Sequence, residues 1–235
     1  MIPLLGPDPQ AFPPVSLALR EPNGLLAAGG DLSVARLEAA YRRGIFPWYS
    51  EGDPILWWSP DPRALFTPDR FHVSRSLAKW RRQNRYQVTI DTAFAAVVDG
   101  CAAPRAGDGN DHGAASTWIV PEMRQAYLDL HAAGIAHSVE VWSGEELVGG
   151  LFGSRIGRAA FGESMFSRAS NASKFALAAI LVDQAWGEIT FLDAQFSTEH
   201  LRSLGVEEYP RSLFTRWLAE ATAADPAGCE KTLPA

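Results

Sequence analysis

Two short stretches set polar groups inside apolar runs: Phe161-Gly162-Glu163-Ser164-Met165-Phe166, and about 30 residues later Leu192-Asp193-Ala194-Gln195. Burying an unpartnered carboxylate costs several kcal/mol, so two acids and an amide in such surroundings mark groups that hold something. We read Glu163, Asp193 and Gln195 as the floor of an active site. In a strand, the i, i+2 spacing of Asp193 and Gln195 turns both side chains to one face.

Other chemistries find little support in the residue pattern. Cys101 and Cys229 are far apart and belong to no C-x-x-C, which suggests neither a disulfide framework nor a thiolate zinc site. The five histidines contain no pair at helical metal-ligand spacing, and no serine lies in G-x-S-x-G. The run Asp108-Gly109-Asn110-Asp111-His112-Gly113 imitates a calcium loop, but its twelfth position is Ile119 where a bidentate Glu is required. No metal site is expected.

The elements that must position the three polar groups follow from periodicity. Ser33 caps a helix whose stripe is Val34, Leu37 and Tyr41, and Gly44 ends it before Pro47. Residues 1–65 are dense in turn formers and aromatics, as in Pro22-Asn23-Gly24 and Trp57-Trp58-Ser59-Pro60-Asp61-Pro62, and read as a small N-terminal lobe in which Arg63 meets Asp61 at the junction. From residue 66 to 235 strands and helices alternate, giving an α+β class. Asp91 or Thr92 is expected to cap a helix through Val98, residues 104–115 to form a mobile loop, and Pro121 to open a helix with Tyr127 and Leu130 inward. Three strands then form a meander over 138–166, followed by a helix capped by Asn171 or Ser173 and a strand over 189–196.

A chain of 235 residues that is 47% apolar can bury a full core, and no apolar run approaches a membrane span. Cytoplasm is the expected compartment. The net charge of −6 argues against general nucleic-acid affinity, yet six cations and no acid lie between Arg70 and Arg85. Read as a helix, Arg75, Lys79 and Arg82 share one face, which suits phosphates or is simply solvated.

The meander, helix and strand order matches the layout of N-acetyltransferase-like folds with a mixed, mainly antiparallel sheet. The glycine-bearing pyrophosphate loop of those enzymes is absent: this chain has Ser167-Arg168-Ala169-Ser170-Asn171-Ala172-Ser173 instead. An acyl donor other than acetyl-CoA is therefore expected.

Five blocks in order, Asn23-Gly24-Leu25-Leu26-Ala27-Ala28-Gly29-Gly30-Asp31-Leu32, Gly44-Ile45-Phe46-Pro47-Trp48, Trp57-Trp58-Ser59-Pro60-Asp61-Pro62-Arg63, His137-Ser138-Val139-Glu140-Val141-Trp142 and Phe161-Gly162-Glu163-Ser164-Met165-Phe166-Ser167, resemble the bacterial leucyl/phenylalanyl-tRNA–protein transferases. The resemblance runs from about residue 10 to residue 217. It implies two domains, the larger acetyltransferase-like, and transfer of Leu, Phe or Met from aminoacyl-tRNA to the N-terminal Arg or Lys of acceptor proteins, marking them for degradation. It further implies that Asp193 and Gln195 orient and deprotonate the acceptor amine, that Glu163 is the site acid, and that Trp48, Trp118, Tyr127 and Met165 line the aminoacyl pocket. Arg75, Lys79, Arg82 and Arg85 are then the tRNA contacts. The implied protein is a monomer without a cofactor. The chain departs from the family pattern in a longer loop over 106–116, in Ser116 where Gly is expected, and in Thr198 where Asn is expected. Competing readings are a CoA-dependent N-acyltransferase and an RNA-binding module that keeps the fold without catalysis.

Overall fold

The computed structural model describes residues 2–103 and 117–223. The expected mobile loop, the calcium-like run and Ser116 lie outside the described residues.

Two sheets organise the chain. The smaller holds β1 (Leu4–Leu5), β2 (Leu25–Gly29), β3 (Phe46–Pro47) and β4 (Leu56–Trp58) in the order β1-β2-β4-β3. Between β2 and β3 runs α1 (Val34–Tyr41), capped as expected by Ser33, whose hydroxyl accepts from the Arg36 amide. Gly44 follows with φ 72°, a left-handed turn that only glycine enters freely; a Cβ there would also strike the Phe214 ring. Both Trp57 and Trp58 are buried, and their indole N–H groups donate to the carbonyls of Gly29 and Trp48.

The chain enters the larger sheet at β5 (Arg63–Phe66). After it come α2 (Arg75–Arg82), β6 (Gln87–Ile90), α3 (Phe94–Ala102), α4 (Pro121–Ala132), the meander β7 (Ala136–Ser143), β8 (Glu146–Ile156) and β9 (Ala159–Ser167), then α5 (Ala172–Leu181), β10 (Phe191–Gln195), α6 (Glu199–Ser203), β11 (Glu207–Tyr209) and α7 (Arg211–Ala223). The strand order is β11-β5-β10-β9-β8-β7-β6, and every pairing is antiparallel except that of β9 with β10. A parallel pair needs a crossover, and α5 provides it.

The pleat separates two cores. Phe152, Phe161 and Phe191 face α3, α4 and α7, whereas their neighbours Leu151, Ala160 and Leu192 face α5 and α2. Period-2 alternation thus places helices on both faces of the sheet, in three layers. The first core also takes in Leu37, Tyr41, Trp57 and Trp58, so the small sheet and α1 pack into the same apolar mass as the large one. No helix among the described residues is long and apolar enough to cross a membrane.

Three local expectations are corrected. Neither Asn171 nor Ser173 caps α5 through its side chain; the Ser173 amide donates to the Ser167 hydroxyl. The helix over 94–102 has no side-chain cap. Asp91 instead accepts from the Ser138 amide and bonds His137 Nδ1, while Thr92 donates its hydroxyl to the buried Glu140 carboxylate of β7, which also accepts from the Thr92 and Ala93 amides at the helix start. Asp61 does not meet Arg63: it accepts from the Arg211 amide, and Arg63 turns inward to Asp193.

Candidate active site

The site forms where the two parallel strands part. Their pairing ends at Asp193 opposite Phe161; beyond it β9 stays with β8 and β10 stays with β5, its last pair being Gln195 with Ala64. Glu163 and Gln195 each stand two residues past that last pair, on opposite sides of the opening. The spacing seen in sequence becomes proximity only through this register.

Asp193 is fully buried and held by a two-pronged ion pair: Arg63 Nε donates to Oδ1 at 2.8 Å and Nη2 to Oδ2 at 2.6 Å. Such bidentate geometry is the strongest form of the pair. Arg63 is itself 1% exposed, donates to the Gly44 carbonyl at 3.1 Å, and lies over the rings of Phe46 and Phe214. Removing either partner would leave a buried charge at a cost of about 3–5 kcal/mol.

Asp193 Oδ1 also accepts the Gln195 main-chain N–H at 2.9 Å, across a bulge in β10. Gln195 there has φ 57°, a left-handed conformation unusual for a residue with a side chain. The aspartate hydrogen bond stabilises this turn, and strain of this kind persists only where surroundings impose it. The regular strand alternation expected from the i, i+2 spacing therefore stops at Gln195. Asp193 contacts the backbone of Gln195, and the Gln195 side-chain amide turns back toward the Asp193 carbonyl at 3.5 Å.

Across the opening, Glu163 Oε2 accepts the hydroxyl of Tyr127 at 2.8 Å, and Tyr127 lies 3.3 Å from the Tyr41 hydroxyl. Glu163 Oε1 is buried with no hydrogen-bond partner among the described residues. Burial is the main cause that lifts its pKa to about 7; the Asp193 charge adds to this, and the two tyrosines and Arg63 oppose it. Both tyrosine hydroxyls are pushed well above their ordinary pKa, first by burial and then by Glu163, so they remain donors.

Two cavities meet at this pair. One, of about 150 Å³, is bounded by Phe46, Trp48, Trp118, Phe196, Glu163 and Gln195. Trp48 is 43% exposed and tilts against Trp58 and Phe196. The other, of about 130 Å³, lies in the gap between the strands and is walled by Leu151, Met165, Leu177 and Leu192, with Glu163, Asp193 and Gln195 at its edge. Of the four residues expected to share one pocket, Trp48 and Trp118 line the first and Met165 the second. Tyr127 is wholly buried behind Glu163, edge-on to Trp118.

The basic residues lie apart from these cavities, on α2 and the turn after it. Arg75, Lys79, Arg82 and Arg85 are exposed, and none forms an ion pair among the described residues. Arg85 lies over Trp80, while Arg70 and Arg81 are engaged by acids. Thr198 caps α6, its hydroxyl accepting from the Leu201 amide at 3.2 Å.

Sequence reasoning missed the roles of Arg63 and Tyr41. A buried acid in a strand demands a cation, and that demand was the available signal for Arg63; Tyr41 was hidden by its fit to a helix stripe.

The sequence profile of the leucyl/phenylalanyl-tRNA protein transferases matches residues 65–219, and that of their N-terminal domain matches residues 30–61. A leucyl/phenylalanyl-tRNA–protein transferase of Ectopseudomonas mendocina (strain ymp) is 56% identical over 220 residues, 93% of this chain and 94% of its own. That of Aromatoleum aromaticum is 54% identical over 235 residues, 98% and 96% of the two chains. Among solved structures, a GCN5-related N-acetyltransferase from Kribbella flavida aligns with TM-score 0.35 and 14% identity, over 74% of this chain and 59% of that one.

Proposed function

The chain belongs to the leucyl/phenylalanyl-tRNA–protein transferase family, and on that premise we propose that it moves Leu, Phe or Met from aminoacyl-tRNA to the N-terminal Arg or Lys of acceptor proteins. The observation that carries the reading is the meeting of an aromatic and an apolar cavity at Glu163 and Gln195.

An aminoacyl ester is already activated. Attack by an amine then requires positioning, removal of a proton and a home for the developing oxyanion, which calls for no added cofactor. The donor side chain fits the gap walled by Met165, Leu177 and Leu192, where a flexible thioether adapts to Leu, Phe and Met alike. The terminal nucleoside fits against Trp48 and Trp118, since indole faces stack bases without regard to sequence. This places the ester between the two cavities.

An N-terminal amine with a pKa near 8 is about a tenth neutral at pH 7. Glu163, with its pKa of about 7 and an unpartnered Oε1, both attracts the cationic acceptor and takes a proton. Gln195 orients the amine through its side-chain oxygen, a weak base but a good acceptor. Asp193 acts through Gln195 and Arg63, holding the turn that aims the amide. The exposed cations of α2 grip the tRNA backbone.

A tRNA donor supports a cytoplasmic site of action. We divide the chain into a small N-terminal unit that carries Trp48 and a larger transfer unit, moving the expected boundary from residue 66 back to Arg63 so that β5 stays whole. The test is transfer of labelled Leu from Leu-tRNA to a peptide beginning with Arg, beside one beginning with Ala. Labelling of the Arg peptide alone, falling at least about 100-fold in Asp193→Ala, is expected; no transfer by folded protein overturns the reading.

A further inference from the structure

A third cavity, of about 430 Å³, is lined by chain neighbours of Trp48 and Tyr127. Its lining includes Tyr49, Asp53 and Ile55 from the connection between β3 and β4, and Glu122, Gln125 and Asp129 from α4. Tyr49 follows Trp48 directly, and the α4 residues flank Tyr127, so one step along each element leads from the reaction centre to this cleft.

The cleft is acidic and unbalanced. No cation lines it, and neither Asp53, Glu122 nor Asp129 forms an ion pair among the described residues. Their hydrogen bonds are local: Asp53 with the Ser50 amide, Asp129 with the Gln125 side chain. Glu122 in the first turn of α4 favours the helix dipole, which accounts for one acid and not for three.

A second observation points to a ligand. Tyr49 is 6% exposed, and its hydroxyl is buried without a hydrogen-bond partner among the described residues. Such a group costs about 1–3 kcal/mol until something pairs with it. Burial chiefly, and Glu122 next, push its pKa to about 12, so it remains a donor. Among the described residues no three acidic, histidine or cysteine side chains converge closely enough to hold a metal ion. Acids spread along a cleft suit an elongated cationic ligand.

We infer that the cleft binds a lysine or arginine side chain of the acceptor polypeptide lying a few residues beyond its N-terminus, with Tyr49 donating to a backbone carbonyl of that segment. This rests on the aminoacyl-transfer reading, which requires a polypeptide to reach Glu163 from outside. The N-terminal residue reacts at the strand opening while the following segment runs on into the cleft. Acceptors with a second basic residue are thereby preferred.

The test uses the full chain and two fluorescent peptides, both beginning with Arg, one with lysines and one with serines at positions three to six. Anisotropy gives their affinities. The lysine peptide is expected to bind roughly three- to tenfold more tightly, an advantage lost in Glu122→Gln with Asp129→Asn and retained when Glu145 and Glu146 are changed to Gln as a charge-matched control. Tyr49→Phe weakens both peptides. In transfer assays the same changes raise KM and leave kcat unaltered. Equal binding of the two peptides by the wild type, or equal loss in the control variant, overturns the inference. Lysine-dependent binding without any transfer sinks the activity reading alone, since anisotropy needs no turnover.

Discussion

Glu163 is the residue to which we assign the acceptor's proton, and the raised pKa that burial gives it has consequences for pH dependence. Its ordinary carboxyl value of 4.5 rises to about 7 in the folded chain. Between those values the native state keeps a proton that the unfolded chain has lost, so this group lowers stability as pH rises. The penalty is absent below the unfolded value and complete above pH 7, where it reaches about 3 kcal/mol at most. Glu163→Gln removes the titration. We expect its melting temperature to exceed that of the wild type at pH 8, with the difference closing toward pH 4. A wild-type profile of kcat/KM on an Arg peptide should rise through pH 7 as the carboxylate forms. The variant should lose that step and retain the one near pH 8 that belongs to the acceptor amine. Identical profiles would remove Glu163 from the proton path.

At the scale of elements, α2 is an electrostatic device with a packed underside. Leu77 is buried and the capping Ser74 accepts from the Leu77 amide, which fixes the helix while Arg75, Lys79 and Arg82 stay in solvent. If this face contacts phosphates, Arg75→Ala with Lys79→Ala should weaken tRNA binding at low salt and reduce the slope of log affinity against log salt by about 1–2. Loss of affinity with an unchanged slope would assign the helix a structural role instead. The site elements show a different economy. Gly153 on β8 lies so close to the Phe161 carbonyl that a Cβ would drive β9 away, two residues before Glu163. The strand that presents the site acid is therefore held in place by the absence of a side chain on its neighbour.

At the scale of the whole molecule, the small and large sheets are joined by a charge as well as by apolar contact. Arg63 sits on β5, between β11 and β10, and reaches both the Gly44 carbonyl of the small unit and Asp193 of the site. A fragment beginning at residue 66 loses an interior strand and leaves Asp193 without its cation. We expect that fragment to lack cooperative unfolding in circular dichroism, whereas a fragment beginning at residue 60 regains β5 but leaves Phe161 and Tyr127 open where Tyr41 of α1 packed. Independent, native-like folding of the shorter fragment would contradict this account.

Much was determined by sequence alone. Ser33 before an apolar stripe and Pro121 at a first helical position act locally, over distances that a few residues span. Five ordered blocks sufficed for the family. The α+β class was legible in the alternation of strand-like and helical periods, and Glu163, Asp193 and Gln195 stood out because a carboxylate in an apolar strand is costly wherever it falls. Tertiary structure decided the rest, because it depends on residues far apart in the chain. Arg63 and Asp193 are separated by 130 positions, and nothing local tells the arginine to prefer Asp193 over nearby Asp61. The bulge that gives Gln195 its left-handed backbone lies where Asp193, held by that pair, accepts the Gln195 amide. The division of one expected pocket into two arises where β9 and β10 part, a consequence of parallel register that no spacing within either strand encodes.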